Sequence, residues 1–179
     1  MADPISATGH RPGYRALQGL TTISVRHFAQ DVSAHYAFES LDLTWPALPG
    51  MLGGSDPWLV WRSPDEILAI GTPSATLGAL MSALQAGRSE TACAIELSEG
   101  LAVYELYGSN IDAWLGHLVD AAAMTSMTGS SARCRLADVP AMLLRTGADR
   151  LWLIVERTVG PYVEDWLHYS HEGAFDSGA

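Results

Sequence analysis

The chain has 179 residues, 48% of them hydrophobic, and a formal net charge of −10. That is enough for one core of ordinary size, and an acidic surface is not drawn to a phosphate backbone, which argues against nucleic-acid binding. All ten basic residues are arginines, so P-loop, Schiff-base and general-base lysine chemistry is excluded.

No apolar run approaches the length needed to span a membrane, and residues 1–13 lack the apolar region of a signal peptide. Residues 1–20 are expected to be a disordered lead and 171–179 a flexible tail, in a cytoplasmic protein. Cys93 and Cys134 stand in no C-x-x-C or metal-ligand spacing. They are expected to be buried free thiols, with a disulfide between them left open.

In chain order, residues 23–28 alternate apolar and polar residues, the pattern of a half-buried strand. Residues 31–41 suggest a helix. Residues 43–56 carry two prolines and three glycines, so they are expected to be a long loop. Residues 58–61 and 67–70 are short apolar runs around Ser63-Pro64-Asp65, the signature of a hairpin. Ser74 is placed to cap a helix whose apolar face is Leu77, Leu80, Met81 and Leu84. Residues 85–91 are a polar connection.

Residues 94–97 and 101–106 flank Ser98-Glu99-Gly100, which predicts a second hairpin. Ser109 and Asp112 resemble a capping box ahead of an amphipathic helix over 109–122, marked by Ile111, Trp114, Leu115, Leu118, Val119 and Ala122. A small-residue loop at 124–131 and a short extended piece at 133–139 follow. Residues 141–144 and 151–155 are two more strand-like runs. Val159, Tyr162, Val163, Trp166 and Leu167 fall at helical spacing.

The unit over 62–84 thus recurs over 145–167 at an offset of 83, and Ile23 corresponds to Val103 at an offset of 80. The pattern predicts one domain, 21–170, of two similar strand-helix-strand-strand-helix halves, about 21–88 and 92–170. Its class is α+β, with mixed or mostly antiparallel sheets covered by helices on one face.

Chemistry is sparse. The chain has no G-x-G-x-x-G, no G-x-S-x-G, no H-E-x-x-H and no calcium loop. His168 and His171 stand at i, i+3 near the end of a helix, where histidine suits the dipole better than it suits a metal. His117 and Asp120 share a polar helix side, consistent with a surface hydrogen bond. Arg133 and Arg135 alternate on an extended stretch, an arrangement that can grip a carboxylate or phosphate but more often faces solvent. Asp65 and Asp149 sit in turns, where aspartate serves the backbone. Trp61, Trp114, Trp152 and Trp166 are read as core or interface. The apolar long loop is the candidate interface: Trp45, Leu48, Met51, Leu52 and Trp58 either meet a partner or cap the core. No catalytic, cofactor-binding or metal-binding residue is assigned.

Residues 41–50 (LDLTWPALPG), 58–68 (WLVWRSPDEIL), 96–108 (ELSEGLAVYELYG), 133–145 (RCRLADVPAMLLR) and 155–167 (VERTVGPYVEDWL) resemble the gamma subunit of heterotetrameric sarcosine oxidase. The likeness runs from about Thr22 to His168, and Ile67 and Ala69 are plainer than that family's usual residues. It implies a fold similar to the folate-binding domain of glycine-cleavage aminomethyltransferase. It further implies a non-catalytic subunit that packs on a large flavoprotein subunit of a complex oxidising a secondary amine. FAD, FMN, NAD and tetrahydrofolate would then lie on partner subunits and none on this chain. The gamma-like subunit of an N-methylglutamate dehydrogenase and a free-standing folate-binding or one-carbon transfer protein stand as alternatives.

Overall fold

A computed structural model describes residues 12–28, 33–86, 92–120 and 129–175. One five-stranded sheet contains β2 (Thr21–His27), β3 (Leu52–Gly54), β4 (Trp58–Ser63), β5 (Glu66–Gly71) and β6 (Ala92–Glu96). The other contains β1 (Gly13–Leu17), β7 (Leu101–Tyr107), β8 (Ser130–Leu136), β9 (Val139–Gly147) and β10 (Arg150–Glu156). All neighbouring strands are antiparallel. Helices α1 (Ser33–Ser40) and α2 (Ala75–Ala86) belong with the first sheet, α3 (Ile111–Leu115) and α4 (Gly160–Phe175) with the second. Among the described residues, no helix is long and apolar enough to cross a membrane.

The sheets stack face to face. Val60, Leu68 and Ile70 of the first pack with Val103, Met142, Leu144 and Ile154 of the second. The opposite faces carry the helices: Ile23, Ile67 and Ala69 meet Phe38, Leu77 and Leu80 on one side. On the other side Leu106, Leu143 and Leu153 meet Trp114, Val163 and Leu167. The four layers are therefore helix, sheet, sheet, helix. Strands buried on both faces read as continuous apolar runs, which is why 67–70 and 151–155 show no alternation.

The two sheets have the same strand order. Read from the β3 edge the first is β3-β4-β5-β2-β6, and read from the β8 edge the second is β8-β9-β10-β7-β1. β6 and β1 are thus equivalent edges, yet β1 comes from the N-terminus. This corrects three expectations. Residues 13–17 are a paired strand and not part of a disordered lead. Helix α4 extends through residue 175, into the expected tail. The halves do not divide at 88–92, because β6 belongs to the first sheet and β1 to the second.

The offsets also change. Helix-facing strand residues repeat at 84 (Leu59 to Leu143, Ile67 to Leu151, Ala69 to Leu153), while helix residues keep 83 (Leu80 to Val163, Leu84 to Leu167). A shift of one residue exchanges the two faces of a strand. Val103 accordingly faces the opposite sheet, and the equivalent of Ile23 is Tyr104.

The expected hairpin over 94–106 does not form. Leu97 N–H donates to Thr22 O (2.8 Å), which ends β6 beside β2, while Arg157 N–H donates to Gly100 O (2.9 Å) beside β7. Ser98-Glu99-Gly100 therefore carries the chain from one sheet to the other. Elsewhere Ser74 Oγ accepts from Leu77 N–H (3.3 Å), the expected cap. The predicted loop 43–56 contains the edge strand β3, and 133–139 belongs to the β8–β9 hairpin. Residues 31–32 and 121–128 lie outside the described residues. Both cysteines are free, but neither is buried: Cys93 is exposed and Cys134 half-buried.

Candidate functional site

The loop before β3 serves two purposes. Trp45 is half-buried and packs inward, with ring centroids 4.7 Å from His27, 4.7 Å from His35 and 4.8 Å from Phe38. Leu52 and Trp58 pack against the inter-sheet core. The backbone between them stitches the sheets together: Ser131 N–H donates to Gly50 O (2.9 Å), and Met51 pairs with Ser130. Only Leu48 (63% exposed) and Met51 (40%) turn their side chains outward. The five candidate interface residues thus divide into three that cap or fill the core and two that face solvent.

The seam between the sheets is polar at one end. Glu66 accepts from Ser24 Oγ (2.6 Å) and Arg62 (2.9 Å) and pairs with Arg26 (3.3 Å). Burial raises the Glu66 pKa, but the Ser24 hydrogen bond and the two guanidinium charges outweigh it and leave the carboxyl below its ordinary value. Its ionisation therefore stabilises the fold above the ordinary glutamate pKa of about 4.3, and that contribution is lost as pH falls through the lowered folded value. Glu66→Gln is expected to flatten the acid limb of stability against pH, measured by urea unfolding. Parallel curves for mutant and wild type would refute the assignment.

Beside this node an open cleft of about 620 Å³, including its mouth, lies over Leu68, Met142 and Ile154, with Arg62, Arg133 and Cys134 on its wall. Burial pushes the Cys134 thiol up to about 11, so it is protonated at neutral pH and not a nucleophile. Arg62 is held by Glu66, and Arg133 donates to Arg62 O (3.4 Å). The two arginines noted on the extended stretch do not act together. Arg135 turns to Asp138 (3.9 Å) in the β8–β9 turn.

The remaining polar candidates are dispersed. His168 pairs with Glu172 (3.3 Å), whereas His171 Nε2 lies 2.7 Å from Pro12 O and its ring meets Trp114. The two histidines have different partners, and among the described residues no three metal-ligating side chains converge. His117 and Asp120 are exposed. Asp65 and Asp149 lie in turns, and their backbone carbonyls accept from His27 N–H and Gly108 N–H at the ends of the neighbouring strands β2 and β7. Asp112 caps nothing: the N-cap of α3 is Asn110, and the Asp112 carboxylate pairs with Arg145.

An unforeseen surface lies on α4. Val163 and Leu167 are fully buried, but Tyr162 (45% exposed), Trp166 (38%) and Tyr169 (70%) face outward at i, i+4, i+7. The signal was present in the sequence. Apolar residues at 159, 162, 163, 166, 167 and 169 cover more than one helix face, and a helix can bury only one against its own sheet.

No protein-family model matches the chain, and no curated protein matches it. Solved structures do. A chain of the heterotetrameric sarcosine oxidase from Corynebacterium sp. U-96, determined with pyrrole 2-carboxylate, superposes with a TM-score of 0.80 at 23% identity, covering 93% of this chain and 87% of that one. Glycine cleavage system aminomethyltransferase T from Bartonella henselae superposes with a TM-score of 0.60 at 10% identity, covering 89% of this chain and 46% of that one. The fold is the one these proteins share, and the chain resembles a subunit of heterotetrameric sarcosine oxidase.

Proposed function

We propose that this chain is the small, gamma-type subunit of a hetero-oligomeric flavoprotein that oxidises a secondary amine, as sarcosine oxidase does. It contributes packing surface rather than catalytic groups. FAD, FMN, NAD and tetrahydrofolate are carried by the larger subunits, and the assembly works in the cytoplasm. The observation that carries this reading is the near full-length match to one chain of a multi-subunit oxidase. The exposed aromatic surface on α4 and the dispersal of the polar candidates support it.

The test is affinity purification of the tagged chain from its own host. A larger yellow subunit with flavin absorbance is expected to co-elute in stoichiometric amount. Elution as a lone chain, with no flavoprotein in any fraction, would overturn the proposal. The likeness to aminomethyltransferase T favours a second reading, a free-standing folate-binding protein of one-carbon transfer. Calorimetry of the purified chain with tetrahydrofolate separates the two: saturable heat supports the second and no heat removes it.

A further inference from the structure

We propose that the outward face of α4, formed by Tyr162, Asp165, Trp166, Tyr169 and Glu172, is where the large flavoprotein subunit docks, and that it receives an arginine-bearing segment of that subunit. The proposal rests on the subunit reading above and names the surface and the chemistry of its occupant.

The inner face of α4 is already committed. Val163 and Leu167 are fully buried, and Ser170 accepts a hydrogen bond from the Trp114 indole (2.9 Å). The helix therefore cannot roll to hide its outer rings. Those rings are held in place instead. The Tyr162 hydroxyl donates to Ala137 O (3.1 Å), and Trp166 meets Tyr169 edge to face at 5.8 Å. A row of tyrosine and tryptophan that loses little side-chain freedom on binding is what interface hot spots are made of.

Charge selects the occupant. The Glu164 carboxylate is engaged by the Tyr104 hydroxyl, whose pKa burial and that carboxylate together push up to about 12. Asp165 and Glu172 lie on the outer side, Glu172 3.3 Å from the His168 ring, and α4 contains no arginine or lysine. Asp165 has no ion-pair partner among the described residues. Aromatic faces beside carboxylates suit a guanidinium, which stacks on the ring and forks onto the carboxylate. The same charges disfavour the other occupants. A second copy of this chain carries a net charge of −10 and would set carboxylate against carboxylate, and an anionic membrane or nucleic acid would be repelled likewise.

The test co-expresses the tagged chain with the large flavoprotein subunit and measures how much of that subunit is retained. Asp165→Arg and the pair Trp166→Ala/Tyr169→Ala are expected to lower affinity about tenfold or more. Wild-type retention should fall with added salt, while Leu48→Ala/Met51→Ala, at another exposed apolar site, retains the partner as wild type does. Circular dichroism and thermal midpoint identify folded variants, and if the aromatic pair unfolds, the exposed Asp165→Arg decides. Retention unchanged in Asp165→Arg, or lost only in Leu48→Ala/Met51→Ala, would overturn the docking face while leaving the subunit reading intact. Failure of the wild-type chain to retain the flavoprotein would overturn both.

Discussion

Trp114→Ala is expected to lower the unfolding free energy by about 3–5 kcal/mol, near the upper end for a single truncation. Trp114 is wholly buried in the layer between α3, α4 and the second sheet. Its ring lies 6.2 Å from Tyr14 and 5.4 Å from His171, so it touches the N-terminal strand and the last helix at once. Its indole N–H donates to Ser170 Oγ (2.9 Å), which donates in turn to Leu167 O (3.1 Å). Truncation removes the ring, leaves a cavity that fixed sheet residues cannot fill, and strands one partner of a buried hydrogen bond. Urea unfolding monitored by circular dichroism provides the measurement. Trp114→Phe should cost roughly 1–3 kcal/mol, since most of the volume stays while the donor is lost. Trp166→Ala should cost under about 1 kcal/mol, because that ring already faces water. Equal losses at Trp114 and Trp166 would contradict the burial pattern of both helices.

That contrast shows how far sequence carries. Periodicity places both tryptophans on helices, and it marks Leu77, Leu80, Met81 and Leu84 as one inward face because α2 has a single apolar stripe. It could not rank the two stripes of α4, since rank depends on which side the sheet lies. Ser74 was readable as a cap because a cap is local. The absence of a 94–106 hairpin has the complementary reason. A short turn between two apolar runs looks the same whether the second run folds back or crosses to another sheet, and only the ladders offered by β2 and β10 decide. For Trp45 the sequence leaves core-capping and partner contact equally open, and the rings of His27, His35 and Phe38, carried by β2 and α1, decide for the core. The strand offset of 84 escaped because hairpin turns and helices are punctuated visibly, whereas the parity of a continuous apolar strand is not.

The second large effect is expected at Arg145, and its size depends on which partner is removed. Arg145 is 1% exposed at the end of β9. Its guanidinium donates to Ala148 O (2.8 Å), which closes the β9–β10 turn, and to the Asp112 carboxylate at the start of α3. The carboxylate is half open to water, with 56% of the side chain exposed, whereas the guanidinium side chain is 2% exposed. Asp112→Ala therefore takes the Asp112 carboxylate away from a buried cation. Loss of one partner of a buried pair costs about 3–5 kcal/mol; access of water past the vacated carboxylate brings the expected loss here to about 2–3 kcal/mol. Arg145→Met keeps most of the buried volume and releases an aspartate that water can solvate, so it should be the milder change, at about 1–2 kcal/mol, most of it the lost bond to Ala148. The double replacement should be more stable than Asp112→Ala alone, because the buried charge is gone as well. A cycle of the three variants by urea unfolding should give a coupling of about 1–3 kcal/mol. Asp112→Ala as mild as Arg145→Met, with no coupling, would show that water already reaches the guanidinium in the native fold.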